Sequence, residues 1–144
     1  MVNENIGGWK RYDADMKFYE KIRDEILTVA EQAGVSARQQ LRLELGVEEI
    51  LVNVFSYAYD DFGYIWLKTS VEGDCFRLEV ADHGRPFDPL ARDYRHAENV
   101  PLADRQPGGL GIFLVKKNFK SVVYCYEEMF GGMANHLTML LQMK

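Results

Sequence analysis

Cysteine, proline and long apolar runs are all scarce in this chain, and each scarcity removes a class of protein. The 144 residues hold two cysteines, Cys75 and Cys125, with no Cys-x-x-Cys or Cys/His spacing. Neither a disulfide framework nor a structural zinc site is therefore expected. Both lie in apolar-patterned stretches far apart, which reads as two buried, reduced thiols. No segment approaches the ~20 apolar residues of a membrane span, and the N-terminus lacks a basic region followed by an apolar run. A cytoplasmic protein with no membrane association is the expectation. Positive charge is also short: 17 Lys and Arg against 22 Asp and Glu give a net charge of −5. With no basic cluster, direct nucleic-acid binding is not expected.

The remaining composition, 47% hydrophobic and 27% charged, is that of one globular domain able to close its own core. Residues 1–12 show few periodic apolar positions and read as a loosely held leader, with a strand conceivable around Trp9–Tyr12. From Asp13, an N-cap candidate, Phe18, Ile22, Ile26, Val29, Ala30 and Ala33 recur at helical steps, and Gly34 supplies a stop. Ser36 with Gln39 forms a capping-box pattern. The helix it opens, with Leu43, Val47, Ile50 and Val54 on its core stripe, should reach Tyr57 or Ala58. Two strand-like runs follow, Tyr64–Val71 and Cys75–Ala81, paired as a hairpin through Glu72-Gly73-Asp74. In the second, Phe76, Leu78 and Val80 alternate with Cys75, Arg77 and Glu79. All four prolines fall between residues 86 and 107, in a stretch without periodicity that suits a lid or binding loop. A partly buried helix over Ile112–Phe119 and two strands, Ser121–Glu127 and Ala134–Gln142, close the chain, with Gly131-Gly132 as their turn.

Three short blocks carry the chemistry. Glu49 and Asn53 stand four apart and so share a helix face with Gly46, Ser56 and Tyr57. An Asn carbonyl is a hard-oxygen ligand suited to Mg²⁺, and a neighbouring Glu can accept a hydroxyl proton; a solvated Glu beside a hydrogen-bonded Asn is the plainer alternative. Gly46 inside the helix costs ~1 kcal/mol against Ala, pointing to close approach by backbone or ligand. The second block is Asp82-His-Gly84-Arg-Pro86-Phe87-Asp88. A carboxylate at a strand end can accept a bond from an exocyclic amine, and Gly84 would let a base approach the backbone; a simple turn also suits Asp-His-Gly. The third block, Gly108-Gly109-Leu110-Gly111, runs into a helix start whose free N–H groups attract phosphate. It matches neither the Walker nor the dinucleotide spacing, and a flexible hinge is the alternative. His83, His96 and His136 fall in a turn, the lid and a strand, and none is given a catalytic role.

Taken together, the blocks resemble the N box and the two glycine boxes of the GHKL ATPases. The chain is most similar to the single-domain anti-sigma factor serine/threonine kinases of bacterial partner-switching systems, over roughly residues 14–142. Asp82-His-Gly-Arg-Pro-Phe-Asp-Pro89 and Gly108-Gly-Leu-Gly-Ile-Phe-Leu-Val115 carry that closer likeness; Tyr57-Ala58-Tyr59 stands where the branch often has His first. The resemblance implies a Bergerat-type two-layer α/β sandwich, with helices on one face of a mixed, mainly antiparallel sheet and a lid over about 88–108. It implies ATP and Mg²⁺ as ligands, with Asn53 on the metal and Glu49 as catalytic base. Asp82 would read the adenine amino group, with Gly84, Pro86 and Phe87 beside the base. Gly108, Gly109, Leu110 and Gly111 would line the phosphates. The implied substrate is a STAS-type anti-anti-sigma protein, and the same body would hold a sigma factor; a homodimer is also within the family's habits. Two other readings stay open: a non-catalytic, nucleotide-dependent partner-binding module, and a free-standing histidine-kinase-like catalytic domain.

Overall fold

A computed structural model of the protein describes residues 4–91 and 109–144. Among the described residues, six strands and three helices follow one another as β1 (Glu4–Ile6), β2 (Trp9–Asp13), α1 (Tyr19–Ala33), α2 (Ala37–Asn53), β3 (Tyr64–Glu72), β4 (Cys75–Asp82), α3 (Gly109–Asn118), β5 (Ser121–Met129) and β6 (Gly132–Gln142). The strands form one sheet in the order β1-β2-β3-β4-β6-β5. Every pairing among the described strands is antiparallel, so the expected mixed sheet contains no parallel ladder there. Among the described residues, no helix is long and apolar enough to cross a membrane.

The segment read as a leader contains a hairpin. Gly7 and Gly8, both at positive φ, turn the chain so that Ile6 pairs with Trp9. Two central residues with positive φ give a turn whose twist matches paired strands, and glycine adopts it without steric cost. Asp13 is drawn into the ladder opposite Tyr64, so it cannot cap the first helix. Asp15 caps instead, accepting the Lys17 N–H at 3.0 Å at the start of a single 3₁₀ turn, Met16–Phe18, that leads into α1. Gly34, at φ 107°, ends α1 as expected.

Ser36 caps α2 by accepting the Gln39 N–H at 3.3 Å, but the reciprocal half of the box does not form. The Gln39 amide instead donates to the Gln142 carbonyl at 2.7 Å, and the Ser36 N–H donates to the Met143 carbonyl, also at 2.7 Å. The start of α2 is thereby tied to the end of β6. At its other end α2 widens into one π turn over Val54–Ala58, within the length expected for the helix. Such turns re-aim side chains and recur at functional sites.

Strand alternation sorts the sheet into two faces. Tyr12, Ile65, Leu67, Phe76, Leu78, Val80, Leu137, Met139 and Leu141 share one core with Ile22, Ile26 and Ala30 of α1, Leu43, Val47 and Ile50 of α2, and Ile112 and Val115 of α3. The helices thus cover one face. On the other, Trp66 stacks on Phe130 with centroids 4.7 Å apart and is flanked by His83 at 4.6 Å. The turn between β5 and β6 is Phe130-Gly131, at φ 56° and 82°, one residue earlier than expected, and Gly132 already belongs to β6. The stacking of Phe130 on Trp66 offsets the strain of a non-glycine residue at positive φ. Cys75 is buried as expected, but Cys125 is exposed, because β5 lies at the sheet edge.

Gly46 explains how α3 reaches α2. A Cβ there would stand 2.8 Å from the Phe119 ring and 3.6 Å from Val115, so the close approach is made by side chains following and within α3. Gly46→Val should therefore lower stability by about 2 kcal/mol or more through overpacking, measured as a drop in the urea midpoint at unchanged m-value.

Candidate functional site: a cleft between the second helix and the ends of two central strands

A cleft of about 730 Å³ opens beside the C-terminal end of α2, lined by Asn53, Val54, Ser56, Tyr57, Ala58, Tyr59 and Asp60 on one wall and Asp82, Arg85, Pro86, Phe87 and Asn135 on the other. That size is within the range of ligand sites. Its inner end narrows to an apolar recess lined by Ile50, Val80, Pro89, Tyr124 and Leu137. The two walls are joined at the surface by an ion pair between Arg85 and Asp60.

The sheet wall follows from register. On β4 the core stripe Phe76-Leu78-Val80 continues as Asp82, and on β6 Leu141-Met139-Leu137 continues as Asn135, directly opposite Asp82. Both are buried, at 6% and 8% exposure. Burial raises the Asp82 carboxyl above its ordinary range, and hydrogen bonds from Asn135 and the Gly84 N–H pull partly against that rise. Asp82 Oδ1 takes both donors, from the Gly84 backbone at 2.8 Å and the Asn135 amide at 3.0 Å. Asn135 carries no motif; its signal in the sequence is a polar residue continuing an apolar alternation into register with Asp82.

The helix wall holds Asn53, whose amide nitrogen donates to Glu49 Oε1 at 3.1 Å. A carboxylate can only accept, so this contact fixes the amide orientation and turns Asn53 Oδ1 away from Glu49. Glu49, one turn earlier, is not part of the cleft lining. The two members of the first block are thus together, with Asn53 the one that meets the cleft.

Gly84 packs against the backbone of Ala58 at the corner where the two walls meet. A Cβ there would stand 2.5 Å from the Ala58 carbonyl oxygen, and the Arg85 N–H donates to that same oxygen at 3.3 Å. The glycine lets the strand end close against the π turn. Tyr59 completes this corner: its hydroxyl donates to the Tyr64 carbonyl and accepts the His83 N–H, both at 2.6 Å, while Gly63 leaves room for its ring. Burial pushes the Tyr59 phenol up to about 12. Phe87 is anchored through its N–H to Asn135 Oδ1 at 3.0 Å, and the residue is 46% exposed at the cleft. Asp88 caps the 3₁₀ turn Pro89–Ala91 by accepting the Leu90 N–H at 2.8 Å. Of the third block, Gly109, Leu110 and Gly111 form the first turn of α3, an N-terminus with free N–H groups. Gly108 and most of the expected lid lie outside the described residues.

A carboxylate and an amide oxygen on opposite walls of a polar-mouthed, apolar-ended cleft are suited to a flat base and a charged tail. Residues 13–140 match the family model of the histidine kinase-like ATPase domain, and the chain belongs to that family. Among individual relatives, it is 28% identical over 107 residues to the serine-protein kinase RsbW of Halalkalibacterium halodurans, covering 71% of this chain and 65% of that protein. The match to RsbW of Listeria monocytogenes serotype 4a is also 28% over 107 residues, covering 69% and 67%. The chain thus spans just under two thirds of the first relative's length. The Acinetobacter baumannii histidine kinase AdeS is similar at 12% identity and a TM-score of 0.48, covering 94% of this chain and 68% of that one.

Two outcomes test the corner. Gly84→Ala sets a methyl against the backbone of Ala58, which cannot yield as a side-chain end would, and should cost about 2 kcal/mol in chemical denaturation. The second concerns alkaline pH. The Tyr59 phenol ionises near 10.0 when unfolded and about 12 when folded, so the unfolded state loses its proton first. Its stabilising contribution is complete below pH 10.0 and lost as pH rises toward about 12. Tyr59→Phe should flatten the fall in stability over that window, followed by denaturation midpoints at successive pH values.

Proposed function

We propose that the protein binds ATP with Mg²⁺ in this cleft and transfers the γ-phosphoryl group to a serine or threonine hydroxyl on a STAS-type anti-anti-sigma partner, also holding a sigma factor inactive when that partner is absent. The observation carrying the proposal is the pairing of Glu49 with Asn53 across the cleft from Asp82. The donor set fits the ligands. Asn53 Oδ1 is turned away from Glu49, and no described residue donates to Asp82 Oδ2, which leaves a hard oxygen on one wall and an acceptor for an exocyclic amine on the other. The serine-protein kinases among the relatives support the reaction class.

In this reading Asp82 accepts a hydrogen bond from the adenine amino group, and Phe87 and Pro86 offer apolar surface beside the base. The first turn of α3 supplies backbone N–H groups toward the phosphates. Asn53 Oδ1 holds Mg²⁺, which when bound offsets phosphate charge. Glu49 takes the proton of the attacking hydroxyl as its oxygen bonds to the γ-phosphorus and the bond to the β-phosphate oxygen breaks, releasing ADP. Glu49 thus has two tasks, orienting the Asn53 amide and accepting the proton.

Glu49→Gln separates them, because the glutamine side-chain oxygen still accepts from Asn53 but is a far weaker base. With labelled ATP, Mg²⁺ and a cognate STAS domain, transfer should fall by roughly a hundredfold or more, while ATP affinity by calorimetry stays within about threefold of wild type. No transfer by the wild-type protein to a demonstrated partner, despite ATP binding, would refute the kinase assignment. An unchanged partner response in Glu49→Gln would favour a nucleotide-dependent binding module.

A further inference from the structure

We infer that Asn135 is a positioning residue that sets the base selectivity of the cleft, by holding Asp82 as a fixed acceptor for an amino-bearing purine. The inference rests on the ATP reading above and names the residue that makes adenine the preferred base.

The orientation of the Asn135 amide is settled by its neighbours. Its oxygen accepts the Phe87 N–H at 3.0 Å and the Tyr124 hydroxyl at 2.5 Å. Its nitrogen faces the Arg85 carbonyl at 3.0 Å and the Gly84 carbonyl at 3.4 Å. A backbone N–H can only donate and a carbonyl can only accept, so exchanging the two ends of the amide would lose the contacts to all three backbone groups. The nitrogen must therefore also be the donor to Asp82 Oδ1 at 3.0 Å.

That donor has a consequence for the carboxylate. With the Gly84 N–H also on Oδ1 at 2.8 Å, one oxygen of Asp82 is doubly occupied and the side chain cannot rotate without leaving two donors unpaired in a buried site. The other oxygen, Oδ2, receives no donor from the described residues. A carboxylate fixed in this way presents Oδ2 as an acceptor to an amine and opposes a base whose carbonyl stands at the same position. Selectivity of this kind is strong because the wrong base leaves a buried polar group unpaired.

The same amide also holds the loop that carries Phe87, so a merely structural role must be told apart from selectivity. Loosening the loop would weaken all purine triphosphates alike, whereas loss of the fixed acceptor changes their ratio. Adenosine and inosine triphosphates are the probes, since inosine carries an oxygen where adenosine carries the amino group. Calorimetry with Mg²⁺ on the wild-type chain should show a clear preference for adenosine triphosphate. Asn135→Leu should shrink that preference about tenfold, whatever its effect on overall affinity; a preserved ratio overturns the inference.

Asn135→Asp supplies the second arm if the leucine variant does not fold. The carboxyl it introduces can still donate to Asp82 while protonated, but once ionised it sets two carboxylates against each other. Adenosine triphosphate affinity of this variant should therefore fall as pH rises from roughly 6 to 8, relative to a wild-type profile measured alongside. His83, Tyr59, Tyr124 and Asp88 are present in both proteins, so the difference between the two profiles reports the carboxyl introduced beside Asp82 and Tyr124. Parallel profiles overturn the inference. If the wild-type chain binds neither triphosphate, the ATP reading fails and this inference with it; if it binds both equally well, only the inference fails.

Discussion

The register of β4 on β6 is the constraint from which the cleft follows. Antiparallel pairing places Phe76 opposite Leu141, Leu78 opposite Met139 and Val80 opposite Leu137. Successive alternate positions of two strands must point the same way, so the next pair, Asp82 and Asn135, is carried onto the helix-covered face whether or not it is apolar. A buried carboxylate there is costly unless donors meet it, and the amide of Asn135 with the Gly84 N–H provides them. Slipping the register by one residue would turn the whole apolar stripe to the wrong face. The hydrophobic core thus holds the polar pair in place with far more energy than the pair's own hydrogen bonds supply.

Three glycines serve the same end by different means. Gly46 admits the Phe119 ring against α2, and Gly84 admits the backbone of Ala58 against the end of β4. Gly63 admits the ring of Tyr59, which then bonds both to the start of β3 and to the residue after Asp82. Each is a place where a missing side chain lets two elements touch, and the last two fix the π turn between the helix bearing Asn53 and the strand bearing Asp82. The cleft's two walls are therefore set by direct contact at one corner, with no long connection to blur their spacing.

Much of this is legible from periodicity, because the core stripes of α1, α2, β4 and β6 follow simple spacing. The Glu49/Asn53 pair and Asp82 are visible as motifs and stand at the cleft or one turn from it. What escapes local reading is long-range. The first hairpin has too few apolar residues to show a period, and its second strand exists because β3 offers an edge to pair with. The side chain of Gln39 serves β6 across 103 residues of sequence, which no local capping rule contains. Asn135 belongs to no recognisable block, since its role exists only once two distant strands are in register. Gly84 reads locally as room for a base, and its contact with the Ala58 carbonyl is likewise made with a residue remote in sequence.

Asn53 and Asn135 answer each other across the cleft, and the comparison clarifies what the site needs. Each is an amide whose orientation is set by a partner with only one hydrogen-bonding option: a carboxylate for Asn53, and a backbone N–H with two carbonyls for Asn135. Asn53 spends its nitrogen on Glu49, which turns its oxygen away from that carboxylate. Asn135 spends both ends within the protein and transmits its orientation to Asp82 instead. An aspartate at position 53 would repel Glu49, and one at position 135 would repel Asp82. The neutral amide is the side chain that can lie beside a carboxylate and still direct an oxygen elsewhere, and both Asp82 in the cleft wall and Glu49 one turn behind the other wall are accompanied by an asparagine.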